Sequence, residues 1–170
     1  MTARLVPSAR AAVLAVAIAC GAAGPVRGES AALPASVTLG MTVAQLQQAL
    51  PGLQRVTRPV RLAGGLVGSW AGEPVDIAGV AVVPTFFMAG GQLRRIDYLA
   101  QDTGPAAFAA LLDWARQAWG AELAGSGPEG AYASWSVEGV DAYLQLPAGG
   151  SAARTRLVVK QQVRKDADDL

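Results

Sequence analysis

The stretch that most restricts what this chain can fold into runs from Leu39 to Gly52, Leu-Gly-Met-Thr-Val-Ala-Gln-Leu-Gln-Gln-Ala-Leu-Pro-Gly. It is a short helix with both ends written in. Thr42 is a good N-cap, because its hydroxyl can accept a backbone N–H left unpaired in the first turn. Gln45, three residues on, can reach back to the Thr42 N–H and complete a capping box, and Met41 and Leu46 have the spacing of a hydrophobic staple. Val43, Leu46, Ala49 and Leu50 share one face, and Pro51-Gly52 stops the helix. So short a helix is unstable alone, so it must lie on a sheet.

The strands follow. Residues 53–62 are basic and partly extended, with Arg55, Arg58 and Arg61. A bend at Gly64-Gly65 leads to a strand over 66–70. Residues 75–88 are rich in Val, Ile, Thr and Phe and read as one strand bent at Gly79 and Pro84. Proline cannot donate to a ladder, which assigns Pro84 to an edge or a bulge. Gly90-Gly91 marks a hairpin, and 92–100 is the return strand, with Ile96 and Tyr98 on one face and Arg95 and Asp97 on the other. A second helix then starts near Asp102-Thr103-Gly104-Pro105, whose polar residues offer caps. Phe108, Leu111, Leu112, Ala115 and Trp119 form its apolar stripe, with Trp114 to the side. Residues 125–130 read as a loop. Residues 131–138, 140–146 and 154–163 alternate as strands.

The order is thus helix then strands, twice. Helices segregated from antiparallel strands imply an α+β fold with the helices on one face of the sheet. The domain spans 37–165, its first repeat about 37–101 and its second about 102–165, followed by a charged tail over 166–170. The segment before it is of another kind. Arg4 and Arg10 precede an apolar run over 11–23, too short for a bilayer, which needs about 20 residues, and right for the core of a signal peptide. We expect a signal peptide over 1–28 and a linker over 29–36. Cys20 is the only cysteine; it leaves with the signal peptide or, in a loose lipobox, Ala17-Ile18-Ala19-Cys20, is the point of lipidation. The expected location is the periplasm, with an outer-membrane-anchored lipoprotein as the alternative. Without Arg4, Arg10 and Arg27 the chain keeps 11 basic and 13 acidic side chains, a balance that argues against a nucleic-acid partner.

The first unit resembles the small outer-membrane-assembly lipoprotein family (SmpA/OmlA type). The matching pieces are Gly40-Met41-Thr42, Gln45-Leu46, Ala49-Leu50, Trp70, Phe87, Leu93 and Ile96-Asp97. The doubled plan is similar to the tandem-repeat β-lactamase inhibitor proteins, which bind an enzyme on a broad sheet face. The resemblance implies two β-lactamase-inhibitor-like (BLIP-like) repeats and a binding role. The inhibitors carry disulfides, and this domain has no cysteine to form one.

The composition points away from catalysis. The chain has no histidine, the commonest general base and metal ligand. The carboxylate pairs Glu73/Asp76 and Glu138/Asp141 flank turns and read as solvated. We expect no enzyme, no cofactor and no metal. Trp70, Trp119 and Trp135 read as core, and the arginines from Arg55 to Arg61 as a solvated loop. If helices cover the face of Ile96, Tyr98, Trp135, Leu144, Leu157 and Val159, the opposite face carries Arg95, Asp97, Tyr132, Asp141, Tyr143, Arg156 and Lys160. Tyrosine with charges of both signs is an interface-like composition. The expected partner is another envelope or secreted protein, with a membrane contact only if Cys20 is lipidated.

Overall fold

The computed structural model describes residue 33, residues 37–137 and residues 139–162. The signal-like segment, Cys20, the linker apart from Leu33, Glu138 and the charged tail lie outside the described residues. The described chain is a helix-and-antiparallel-sheet structure of the α+β class. Its elements in order are α1 (Val43–Ala49), β1 (Gln54–Arg61), β2 (Val67–Ala71), β3 (Val75–Ile77), β4 (Val80–Ala89), β5 (Gln92–Thr103), α2 (Pro105–Trp119), β6 (Leu123–Gly127), β7 (Gly130–Val137), β8 (Val140–Pro147) and β9 (Arg154–Gln161).

All strands join one sheet in the order β1-β2-β4-β5-β9-β8-β7-β6, with β3 against β4. Two meanders meet at their last strands, because β5 pairs with β9. The register lines up two rows of core residues. Phe86, Ile96, Val159, Ala142 and Trp135 form one; Pro84, Tyr98, Leu157, Leu144 and Ala133 form the other. Leu46 of α1 and Leu111, Ala115 and Trp119 of α2 close over them in a single core, so both helices cover the same face. Burial raises the pKa of the Tyr98 hydroxyl and keeps it neutral.

The helix ends follow different physics. At α1 the Thr42 N–H donates to Gln45 Oε1 at 2.9 Å and the Gln45 N–H donates to Thr42 Oγ1 at 3.4 Å, the capping box read from the sequence. At α2 no side chain caps the first turn. Asp102 and Thr103 belong to β5, and Gly104, at φ 87°, is the N-cap with Pro105 behind it. The C-terminus of α2 is tied to the sheet instead: Trp135 Nε1 donates to the Gly120 carbonyl at 3.0 Å. Trp114, Trp119 and Trp135 stack edge to face, with centroids 5.2 and 5.6 Å apart.

Four strand readings need correction. Residues 75–88 are a hairpin, not one bent strand, since β3 and β4 pair across Ala78-Gly79. Both turn residues have positive φ, as a two-residue hairpin requires, and Asp76 Oδ1 accepts the Gly79 N–H at 2.9 Å. The expected loop over 125–130 is a strand for half its length, because β6 pairs with β7 from Leu123 to Gly127. Within residues 53–62, expected to be only partly extended, Gln54–Arg61 form an edge strand, β1, whose register shifts between Arg55 and Val60. Pro84 lies in an inner strand, where its missing donor does no harm. The pairing of β4 with β2 ends at Thr85 and with β3 begins at Val82. The Pro84 carbonyl accepts the Gly72 N–H at 3.1 Å, and a strand residue's nitrogen points to the same side as its carbonyl, so the ring faces that break.

Candidate functional site

The register brings the seven expected residues to one face of four adjacent strands, β5, β9, β8 and β7. Three rows run across them. Arg95 pairs with Lys160, Lys160 with Asp141 and Asp141 with Ser136. Asp97 pairs with Val158, Val158 with Tyr143 and Tyr143 with Ser134. Leu99 pairs with Arg156, Arg156 with Gln145 and Gln145 with Tyr132. Strand alternation puts all of these opposite the core rows.

The face is more ordered than its charges suggest. Arg95 grips Asp97 in the same strand through two bonds, Nε to Oδ1 at 2.5 Å and Nη2 to Oδ2 at 2.9 Å. Its guanidinium also lies over the Phe87 ring, 5.3 Å from the centroid. Lys160 Nζ lies 5.1 Å from the Tyr143 centroid and 3.8 Å from Asp141 Oδ2. Asp141 Oδ1 accepts the Ser136 hydroxyl at 2.8 Å and Gln162 Nε2 at 3.2 Å. Arg95, Asp97, Lys160 and Asp141 are thus each held by a neighbour of opposite sign or an aromatic ring.

On strand parity alone Arg95 and Lys160 should be exposed, and the structure corrects that. Asp97 is buried, at 9% exposure, and the Arg95 side chain keeps only 21%. Lys160, Asp141 and Tyr143 are half-buried, while Arg156 and Tyr132 are exposed. The reason is lateral packing. Phe87 and Val158 lie on this face, away from the helices, yet both are buried. Gly68 leaves Phe87 room, since a Cβ there would meet the ring at 2.8 Å. The long side chains of Arg95, Lys160 and Tyr143 lie along the sheet beside these residues, as amphipathic stems do. The sequence reading missed Phe87 and Val158 as members of this face. For Val158 the signal was its parity with Arg156 and Lys160 in the same strand; Phe87 needed the register that pairs it with Arg95.

The other residues singled out from the sequence lie elsewhere. Arg55, Arg58 and Arg61 are exposed on the edge strand β1, with Arg55 5.5 Å from the Trp70 ring centroid. Three cations, Pro59 and a shifted register discourage strand addition at that edge. Trp119 and Trp135 are buried and Trp70 packs on the core. Trp114 is partly buried against Trp119. Glu73 is exposed beside Gly52. Among the described residues no group of three or more His, Cys, Asp and Glu could hold a metal ion, and no helix is long and apolar enough to cross a membrane.

With this geometry in hand, comparison with known proteins gives no matching family model, no matching curated protein and no matching solved structure.

Proposed function

We propose that this is an exported, non-catalytic interaction or envelope-assembly module that binds another protein on the open face of β5, β9, β8 and β7. One observation carries the reading: Arg95, Asp97, Tyr132, Asp141, Tyr143, Arg156 and Lys160 lie in three adjacent rows on the side the helices leave uncovered. Interlocked charges and half-buried aromatics lose little freedom when a partner settles on them, which favours binding. Arg95, Asp97, Asp141 and Lys160 are poor catalytic groups, because each is already committed to a neighbour. The two helix-plus-meander halves, meeting at β5 and β9, support reading the fold as two BLIP-like repeats. The resemblance of the first half to outer-membrane-assembly lipoproteins favours the periplasm, or the outer membrane if Cys20 is lipidated. A second reading, an inhibitor of a periplasmic or secreted enzyme, draws on the broad sheet face that the tandem-repeat inhibitors use.

The test is site-directed photo-crosslinking in intact cells. A photoreactive residue at Gln145, exposed on the open face, should capture a discrete partner, whereas one at Ala109, exposed on α2, should not. The Tyr132→Ala, Arg156→Ala double variant should remove the Gln145 product with little loss of stability. A component of the envelope assembly machinery in that product supports the first reading and a hydrolase the second. Equal capture from Gln145 and Ala109 would count against the face altogether.

A further inference from the structure

Partly buried cations on this sheet are handled in two ways. Arg95 and Lys160 each have a carboxylate nearby, at 2.5 and 3.8 Å. Arg94 has none among the described residues. Its Nη2 donates to Gln92 Oε1 at 2.6 Å and its Nη1 to Gln161 Oε1. Two neutral amide oxygens orient the guanidinium and leave its charge intact. They take two of its five N–H donors. A side chain fixed in direction but not neutralised is arranged as an anion receptor is.

The position of Arg94 comes from a bulge. Phe87 pairs with Arg95 and Met88 with Leu93, so Arg94 is the extra residue in β5. Strict alternation cannot send both Leu93 and Ile96 into the core, yet both are fully buried. The bulge reconciles them and re-aims Arg94, as bulges beside functional sites do. A cleft of about 480 Å³ opens at this end of the sheet, lined by Gly64, Leu66, Ala89, Arg94, Lys160 and Gln161 among others, and among the described residues its lining contains no carboxylate. Lys160 has Asp141 near it, outside the cleft. Among the described residues the cleft therefore carries about one uncompensated positive charge, beside the small apolar surface of Leu66 and Ala89.

We propose that this cleft binds a carboxylate on a short apolar stem, such as a glutamate side chain of a docking protein. The guanidinium's planar donor pair fits two coplanar carboxylate oxygens, and a single net charge suits a monoanion better than a phosphate dianion. Lys160 belongs both to the cleft and to the open face, so a partner seated on that face has a route to it. The site itself is read on the purified chain, independently of any partner.

The experiment is amide NMR of the full chain titrated with acetyl-Gly-Glu-Gly-amide, its Gln counterpart and inorganic phosphate. The Glu peptide should give saturable shifts at Gly64, Ala89 and Gln161 that weaken as ionic strength rises past about 0.15 M. Arg94→Gln should weaken binding about tenfold or more, and Arg94→Lys, which keeps the charge and loses the fork, by less. Arg58→Gln, exposed on β1 and outside the cleft lining, should change nothing. Equal shifts from the Gln peptide, tighter binding of phosphate, or indifference to both Arg94 variants would overturn the carboxylate assignment. The absence of saturable shifts would overturn the site, while leaving the crosslinking result from Gln145 to stand or fall separately.

Discussion

On one side of β5, Ile96 and Tyr98 meet Val159 and Leu157 and are roofed by α2; on the other, Arg95 and Asp97 meet Lys160 and Val158 with no helix in the roof among the described residues. Both sides nevertheless contain buried groups, Ile96 at 0% and Tyr98 at 1% against Phe87 at 3%, Val158 at 5% and Asp97 at 9%. The first side is sealed from above by another layer of structure. The second is sealed from the side, by long polar side chains that lie down on the strand neighbours they pair with. Alternation tells which way a side chain points; it does not tell whether water reaches it. A face closed by its own charges is stiff while still presenting those charges, which is what a binding surface needs.

If the two sides are sealed as described, their variants should rank by burial and not by face. Ile96→Ala should cost most, about 2–5 kcal/mol, since Ile96 is fully buried between its strand neighbours Phe86 and Val159 in the core that the helices cover. Phe87→Ala should come next at about 3 kcal/mol, in the lower part of the range for a buried aromatic, because Arg95 can settle into part of the space. Urea denaturation measures both. A cost below about 1 kcal/mol at Phe87 would show that the open face is wet in solution and break the comparison. Asp97→Asn should cost about 1–3 kcal/mol by leaving the half-buried Arg95 without its counter-charge. The loss should shrink when Arg95 is also replaced by Met, and a double-mutant cycle showing no coupling would mean that the Arg95–Asp97 bridge is ornamental.

Much of this was legible in the chain, for reasons that differ by element. The first helix is written locally: Thr42, Gln45, Met41 and Leu46 specify its start within six positions, and a contact three residues long needs no knowledge of the fold. The seven face residues were legible because parity is also local. What escaped depends on neighbours distant in sequence. Leu-Ala-Gly-Ser-Gly has no strand propensity, and β6 is a strand because β7 offers it a ladder. The Arg94 bulge exists because Leu93 and Ile96 both have places in a core assembled from other strands. The burial of Asp97 depends on Arg95 turning back along its own strand and on Val158 arriving from β9. Resemblance to known families spoke to the capped helix and the hairpin, and was silent on all three.

The smallest expected effect tests the stiffness of the open face most directly. Tyr143 is half-buried, on the same strand face as Asp141, with Lys160 over its ring at 5.1 Å. No helix packs on it among the described residues, so truncation opens no closed cavity. Tyr143→Ala should cost about 1 kcal/mol, made up of a cation–π contact at a partly exposed site and some lateral cover for Val158. Tyr143→Phe, which keeps the ring under Lys160, should cost less than about 0.5 kcal/mol. A loss at Tyr143→Ala as large as that at Ile96→Ala would place Tyr143 in the core and shift β8 by one residue, turning every side chain of that strand over. A loss near 1 kcal/mol that vanishes when Lys160 is replaced by Met would instead locate the energy in the Lys160–Tyr143 contact. The ring would then be a rigid platform held by its neighbour, ready for a partner to pack on.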